Sequence, residues 1–171
     1  MKRILILGGC GYVGSKLFQH LKGKYDVDTV DLEWYGNFAN RENLKCDISG
    51  LKGEFICQYD TVILLAAHSS VKMCEDNSIS VLKNNVLNFA KLLDLAAKEQ
   101  KFIYASSSSV YGDTRKDIVD ETYNSFEPNN YYDLSKHEID SYAQLSDKTY
   151  FGLRFGTVNG ASPNLRNDIM I

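Results

Sequence analysis

Short apolar runs alternate with amphipathic segments along the chain. Five apolar runs predict strands, at residues 3–7, 26–32, 61–66, 102–106 and 150–155. Apolar residues at helical spacing predict helices over residues 12–21, 80–98 and 133–145. Strands that alternate with helices are typical of a parallel sheet with helices on its faces, so the pattern predicts an α/β fold.

The strongest helical pattern covers residues 80–98. Its main apolar stripe is formed by Leu82, Val86, Phe89, Leu93 and Ala96. A stripe of this width is expected to pack against the sheet.

A glycine-rich turn joins the first predicted strand to the first predicted helix. Gly8, Gly11 and Gly14 stand at three-residue intervals in this turn. Side chains at these positions would block a tight turn and keep a pyrophosphate away from the helix N-terminus. A glycine turn without a ligand is the alternative, but the strand–turn–helix context favours nucleotide binding.

An acidic residue, Asp31, lies at the end of the second predicted strand. A carboxylate about 20 residues beyond such a turn accepts hydrogen bonds from the adenosine ribose, and it repels a 2′-phosphate. No arginine or lysine follows Asp31 directly, so the sequence predicts NAD rather than NADP as the cofactor. A solvated carboxylate at a strand end is the alternative.

Tyr132 and Lys136 are separated by one helical turn at the start of the last predicted helix. Tyrosine is a poor base, because its reference pKa is about 10. A lysine on the same helix face favours the phenolate. Tyr132 could then take a proton from a substrate hydroxyl. The neighbouring Tyr131 lacks this spacing; a helix pair without chemistry is the other interpretation.

Composition excludes several classes of function. The chain has 171 residues, 44% of them hydrophobic, and a net charge of −3, which predicts one globular domain without a nucleic-acid footprint. No apolar run approaches the roughly 20 residues that a membrane span needs. The four cysteines show no C-x-x-C pair and no histidine spacing suited to zinc, so we expect no metal site. We also expect reduced, buried thiols and a cytoplasmic location.

Taken together and in this order, the motifs resemble the NAD-dependent epimerase/dehydratase family of extended short-chain dehydrogenases. The Gly8-x-x-Gly11-x-x-Gly14 spacing is that family's variant of the turn. Four further stretches are similar to family segments: residues 46–48, 62–68, 84–86 and 153–160. The resemblance covers nearly the whole chain and implies a Rossmann-type doubly wound parallel sheet that binds NAD.

The resemblance also implies roles for individual residues. Ser107 matches the serine that shares the substrate proton with Tyr132, although Ser106 or Ser108 also fits within four consecutive serines. Lys136 would hydrogen-bond the nicotinamide ribose as well. The implied cofactor contacts are Gly8, Gly11, Tyr12, Val13, Gly14, Asp31, Asp47, Ile48, Leu65, Ala66, Ala67, Asn85, Tyr132 and Lys136.

The activity that the resemblance implies is reversible hydride transfer at a carbon of a nucleotide sugar. Family dehydratases often carry an acidic pair after the catalytic serine. Here Ser108 and Ser109 occupy those positions, which favours an epimerase or reductase. Thr157 stands where the family usually has an asparagine that touches the sugar nucleotide, so the identity of the sugar stays open.

The expected domain organisation is one NAD-binding domain over residues 1–171. Residues from about 156 onward would begin a substrate-binding lobe that is largely absent. The alternative is a non-catalytic NAD-binding module or a fragment that depends on a partner. The family's usual homodimer would form through helices 80–98 and 133–145.

Four other residues have two possible roles each. His68 could line the cleft or be a hydrogen-bonded loop histidine, and Trp34 could flank the adenine or cover the sheet edge. Arg154 and Arg166 could bind a diphosphate or form surface ion pairs.

Overall fold

Five parallel strands form a single sheet in the order β2-β1-β3-β4-β5. The computed structural model describes residues 1–39, 42–114, 118–123 and 127–165. The strands are β1 (Arg3–Leu7), β2 (Asp26–Val30), β3 (Thr61–Leu64), β4 (Lys101–Ser107) and β5 (Tyr150–Phe155). The helices are α1 (Tyr12–Leu21), α2 (Gly53–Ile56), α3 (Val71–Glu75), α4 (Ser78–Val81), α5 (Asn88–Leu95) and α6 (Tyr131–Gln144).

The sheet buries apolar side chains on both faces, because successive side chains of a strand point to opposite sides. One face forms the larger core with α5 and α6; its members include Leu5, Leu7, Val62, Leu64, Phe89, Leu93, Phe102 and Ile139. The other face packs against α1 and includes Ile4, Ile6, Ile63 and Phe18. This layering confirms the predicted α/β class and doubly wound sheet.

The strand order reverses beside β1, which pairs with β2 on one side and with β3 on the other. Beyond β2, a single parallel bridge between Val30 and Leu44 continues the sheet. In doubly wound sheets, ligands bind outside the carboxyl ends of the strands at such a reversal. The topology therefore places the candidate site at the ends of β1, β3 and β4.

The segment predicted as one helix over 80–98 contains a π turn, Leu82–Leu87, between α4 and α5. A π turn holds more residues than an α turn and so shifts the helix faces. As a result Asn85 is buried, whereas Leu87 is 62% exposed. The helix also ends at Leu95, earlier than predicted, because Ala96 is extended and Gln100 accepts a hydrogen bond from Ala97 N.

The other differences from the predicted bounds are short. Helix α6 begins at Tyr131, two residues early, because the Asn130 side chain accepts a hydrogen bond from Asp133 N and caps the helix. Strands β2 and β3 each end two residues early, and the backbone N–H groups of Leu65 and Ala66 both bond Leu7 O. The bounds of β1, α1 and β5 are as predicted.

The cysteines depart in part from the expectation of buried thiols. All four are free; Cys10 and Cys74 are buried and Cys46 is partly exposed. Cys57 is exposed, since it follows the short helix α2 at the surface. Within the described ranges, no helix combines the length and the apolar character needed to cross a bilayer.

Phe89 is the residue on which we test this packing, because its ring meets those of Phe102, Tyr104 and Tyr142 edge-on. Replacing it with alanine should lower the free energy of unfolding by about 3–5 kcal/mol, measured by urea denaturation. Ile79→Ala, a change at a 61% exposed position of α4 on the same helical segment, should stay within about 0.5 kcal/mol of the wild type. Similar losses in both variants would contradict the assigned helix faces.

Candidate active site

A cleft of about 650 Å³ opens at the carboxyl ends of β1, β3 and β4. Its walls come from the glycine turn, the residues after β2 and β3, the end of β4 and the first turns of α6. Thirteen of the fourteen residues implied as cofactor contacts line this cleft; Asn85 does not. All three residues implied to be catalytic, Ser107, Tyr132 and Lys136, also line it.

The glycine turn is tight because of backbone contacts at Gly8 and Gly14. Gly8 has a φ of +93°, and a Cβ there would lie 2.5 Å from Ala66 N. A Cβ on Gly14 would overlap the Gly8 carbonyl oxygen. Gly11 is the N-cap of α1 and has no side chain to cap it, so the first N–H groups of this helix are available to an anion.

Asp31 links the glycine turn to the loop after β2. Its carboxylate accepts hydrogen bonds from Cys10 N at 3.0 Å and from Glu33 N at 2.7 Å. A carboxylate offers about four lone-pair sites, so positions remain for ribose hydroxyls. Nearby, Lys45 is paired with Glu33 at 3.3 Å.

Asp47 and Ile48 form another part of the wall. The Asp47 side chain accepts a hydrogen bond from Ser49 N at 2.8 Å and caps the 3₁₀ turn Ile48–Gly50. Ile48 is buried at the start of this turn. The cap therefore holds an acidic and an apolar side chain side by side at the cleft.

The consecutive serines differ in their hydrogen bonds. The Ser106 hydroxyl donates to Asp140 Oδ2 at 3.0 Å, while Ser107 Oγ accepts from Ser109 N at 3.2 Å. Ser108 is exposed at the start of a 3₁₀ turn and lies outside the cleft wall. The geometry favours Ser107, whose hydroxyl proton is still available for a further acceptor.

Tyr132 and Lys136 lie on the first turns of α6, with Lys136 Nζ 5.7 Å from the centre of the Tyr132 ring. Lys136 is 4% exposed, and its ammonium donates to Ala105 O at 2.6 Å. Burial lowers the pKa of Lys136 to about 8, and the charge of Asp140 opposes this shift. A buried cation next to a tyrosine ring is suited to stabilising a phenolate.

Asn85 acts behind the cleft wall, because both ends of its side-chain amide are engaged. Its oxygen accepts from His68 N at 2.8 Å, and its nitrogen donates to His68 O and Ser135 Oγ, each at 3.1 Å. This clamp joins the loop after β3 to α6, the helix of Tyr132 and Lys136. The resemblance implies that this asparagine stabilises the active site and contacts the cofactor; its amide lies outside the cleft wall and holds the loop against α6.

The remaining candidates take the following places. His68 is a buried loop histidine whose Nε2 lies 2.8 Å from Ser80 Oγ, and burial lowers its pKa. Trp34 lines the cleft and stacks on the His68 ring at 5.6 Å between centroids. Arg154 pairs with the buried Asp140 instead of facing a diphosphate. Arg166 lies outside the described residues.

The segment after β5 also lines the site, where sequence reasoning expected Thr157 but missed Val158 and Leu165. Thr157, Val158 and Leu165 line the cleft. The segment is held on the glycine turn, because Ser162 Oγ donates to Tyr12 O and Asn164 Nδ2 donates to Cys10 O, both at 2.6 Å. The local pattern of residues 156–165 contains no signal for this long-range contact. Among the described residues, no group of three or more candidate metal ligands comes together.

A model of the NAD dependent epimerase/dehydratase family matches residues 4–167. The chain belongs to this family. Among its relatives, the UDP-N-acetyl-alpha-D-glucosaminuronate decarboxylase of Bacillus cytotoxicus is 34% identical over 122 residues, which cover 65% of this chain and 38% of the relative. The UDP-glucose 4-epimerase of Streptococcus mutans is 28% identical over 183 residues, covering 94% and 53%.

Solved structures that contain UDP-glucuronic acid and NAD share the fold. MoeE5 in complex with UDP-glucuronic acid and NAD has a TM-score of 0.82 and 26% identity, over 98% of this chain and 58% of that one. The UDP-glucuronic acid 4-epimerase of Bacillus cereus, in complex with UDP-glucuronic acid and NAD, has a TM-score of 0.81 and 25% identity, over 98% and 60%. The chain spans 38% to 57% of the length of the first curated relatives.

The low pKa of Lys136 makes stability depend on pH. Between pH 8 and about 10.4, the unfolded chain keeps a proton on this lysine that the folded chain has lost. Folding therefore becomes more favourable as the pH rises through this window. The difference in unfolding free energy between the wild type and Lys136→Met should therefore rise by up to about 3 kcal/mol in favour of the wild type across this window. Urea denaturation at several pH values measures it.

The exposed Lys83 provides the baseline for this comparison, since Lys83→Met removes the same charge at the surface. A wild-type advantage over Lys136→Met that falls with rising pH would show that the assigned direction is wrong.

Proposed function

We propose that this chain binds NAD and carries the hydride-transfer site of an enzyme that acts on a nucleotide sugar. The observation that carries the proposal is the convergence of Ser107, Tyr132 and Lys136 at one end of a cleft whose other end holds the glycine turn and Asp31. The family's NAD dependence supports it. So do the complexes of MoeE5 and of the Bacillus cereus epimerase with NAD and UDP-glucuronic acid.

NAD, when bound, supplies the acceptor and donor of hydride. Tyr132 takes the proton of the sugar hydroxyl as its carbon is oxidised and returns it on reduction. The buried Lys136 ammonium favours the phenolate form of Tyr132. Ser107 bonds the same sugar oxygen and orients it toward Tyr132. The first N–H groups of α1 would bind the pyrophosphate.

An epimerase or reductase is favoured over a dehydratase within this proposal. Ser108 and Ser109 occupy the positions where dehydratases carry acidic groups, and both belong to the 3₁₀ turn that follows Ser107. We assign residues 1–171 to the NAD-binding domain, with residues from about 156 leading toward a substrate-binding lobe. The chain spans about half the length of its relatives. In this proposal the substrate-binding lobe supplies most contacts to the nucleotide part of the nucleotide sugar.

A non-catalytic NAD-binding module is the second candidate. The burial of Lys136 beside Tyr132 favours catalysis over this alternative. A homodimer through residues 80–98 and 133–145 is also proposed; the exposed Leu87 and the 90% exposed Leu145 at the end of α6 support it. Four free thiols support a cytoplasmic location.

NAD should bind at least about tenfold more tightly than NADP in titration calorimetry. The reason is that a 2′-phosphate would meet the Asp31 carboxylate, and a like-charge contact costs on the order of 1–4 kcal/mol at surface dielectrics. Asp31→Asn should narrow this preference by weakening NAD binding and removing the repulsion. Equal or tighter NADP binding by the wild type would contradict the assignment of Asp31.

Tyr132 and Lys136 should separate catalysis from cofactor binding. Tyr132→Phe should leave NAD affinity within about twofold, because the hydroxyl acts on the substrate, and should lower any turnover by ~10²–10⁴-fold. Lys136→Ala should weaken NAD binding as well. The measurements are calorimetry with NAD and conversion of a panel of UDP-, dTDP- and GDP-sugars.

With this panel, the 171-residue chain should show little turnover by itself. Contacts to the nucleotide, remote from the reacting carbon, position the sugar for reaction, and the substrate-binding lobe would supply most of them. Unchanged turnover in Tyr132→Phe would exclude Tyr132 as the base. If the chain binds NAD but converts no sugar, even when a substrate-binding lobe from a relative is fused to it, the non-catalytic module is favoured.

A further inference from the structure

A buried carboxylate, Asp140, lies one helical turn beyond Lys136 on the same face of α6. Three donors from the sheet converge on it, each at 3.0 Å. Tyr104 and Ser106 of β4 donate through their hydroxyls, and Arg154 of β5 donates through Nε. A buried carboxylate with three donors is fixed in place, because each lost bond would leave a polar group unsatisfied.

Lys136 and Asp140 together hold three consecutive residues of β4. Asp140 accepts from the side chains of Tyr104 and Ser106, and the Lys136 ammonium donates to the carbonyl oxygen of the intervening Ala105. Two charged residues one turn apart on one helix face thus bind three adjacent residues of the strand. A slide of α6 along β4 would break all three bonds at once.

These hydrogen bonds between α6 and β4 lie directly next to the candidate catalytic groups. Ser107 is the next residue of β4, and Tyr132 precedes Lys136 by one turn of α6. We propose that Asp140 is a positioning residue for the hydride-transfer site: it fixes α6 against β4 and provides the counter-charge shared by Lys136 and Arg154. The roles of Ser107, Tyr132 and Lys136 in this inference rest on the proposed function.

Asp140 also affects the pKa of Lys136 through its charge. Tyr132 and Asp140 lie near this lysine on its own helix, and Cys74 faces it from α3. Burial raises the pKa of the Cys74 thiol to about 11, so this thiol is neutral at neutral pH. Removing the Asp140 charge would remove the carboxylate that opposes the effect of burial on Lys136, and the pKa of Lys136 would fall further.

Removing the charge of Arg154 should shift the pKa of Lys136 in the opposite direction, upward. Arg154 pairs with Asp140 at 3.0 Å, and its guanidinium stacks over the Tyr111 ring at 4.9 Å. Without the Arg154 charge, the Asp140 carboxylate would act on Lys136 alone. The two changes therefore shift the pKa of Lys136 in opposite directions, which loss of packing by itself would not do.

The test uses the 171-residue chain with lysine labelled for NMR, so that the protonation of Lys136 is followed directly. Asp140→Asn should move its titration below the wild-type value, Arg154→Gln should move it above, and Asp140→Glu should restore it. Titration calorimetry at pH 7.5 should show NAD affinity about fivefold or more weaker in Asp140→Asn, with partial recovery in Asp140→Glu.

Glu138→Gln is the matched control, since it removes one negative charge at an exposed position of the same helix. It should leave both the Lys136 titration and NAD affinity unchanged. If Asp140→Asn does not fold, the upward shift in Arg154→Gln still tests the inference. A Lys136 titration that is the same in the wild type and every folded Asp140 or Arg154 variant would overturn it.

The two proposals can fail separately. Failure of the wild type to bind NAD would contradict the proposed function, and the Lys136 titration would still decide the role of Asp140. If the wild type binds NAD and Asp140→Asn folds with unchanged affinity and titration, the positioning role is wrong and the proposed function stands.

Discussion

The close approach of the end of β1 to the loop after β3 is the constraint on which the cleft depends. Leu7 O accepts hydrogen bonds from both Leu65 N and Ala66 N, and Gly8 then turns with a positive φ against the Ala66 backbone. A side chain at Gly8 would push the two strand ends apart. Because the strand order reverses beside β1, this contact sets the floor of the cleft between the glycine turn and the loop after β3.

Helix α6 is joined to that floor by two polar contacts of different kinds. The Asn85 amide connects it to the loop after β3, and the pair of Lys136 and Asp140 connects it to β4. Both contacts are buried, so water does not compete with them. The candidate tyrosine and lysine are therefore held by a network of hydrogen bonds, and apolar packing by α5 and the sheet lies behind it.

Features that depend on neighbouring residues could be predicted from the sequence. The bounds of β1, α1 and β5, the glycine turn, and the spacing of Tyr132 and Lys136 are all local patterns. The partners of Asp140 could not be predicted, because they come from two strands distant in sequence. The contact of residues 156–165 with the glycine turn is equally long-range. Asn85 was expected as a site residue, but its clamp depends on a π turn that hydrophobic periodicity does not show.

The π turn also has a consequence for how this chain tolerates changes in length. A π turn is equivalent to an α-helix into which one residue has been inserted. Deleting one residue between Leu82 and Leu87 would allow a regular α-helix of the same fold to form, with α4 and α5 still packed. The Asn85 amide would then rotate away from His68 and Ser135. A single-codon deletion here would therefore spare the core and dismantle the link between the loop and α6.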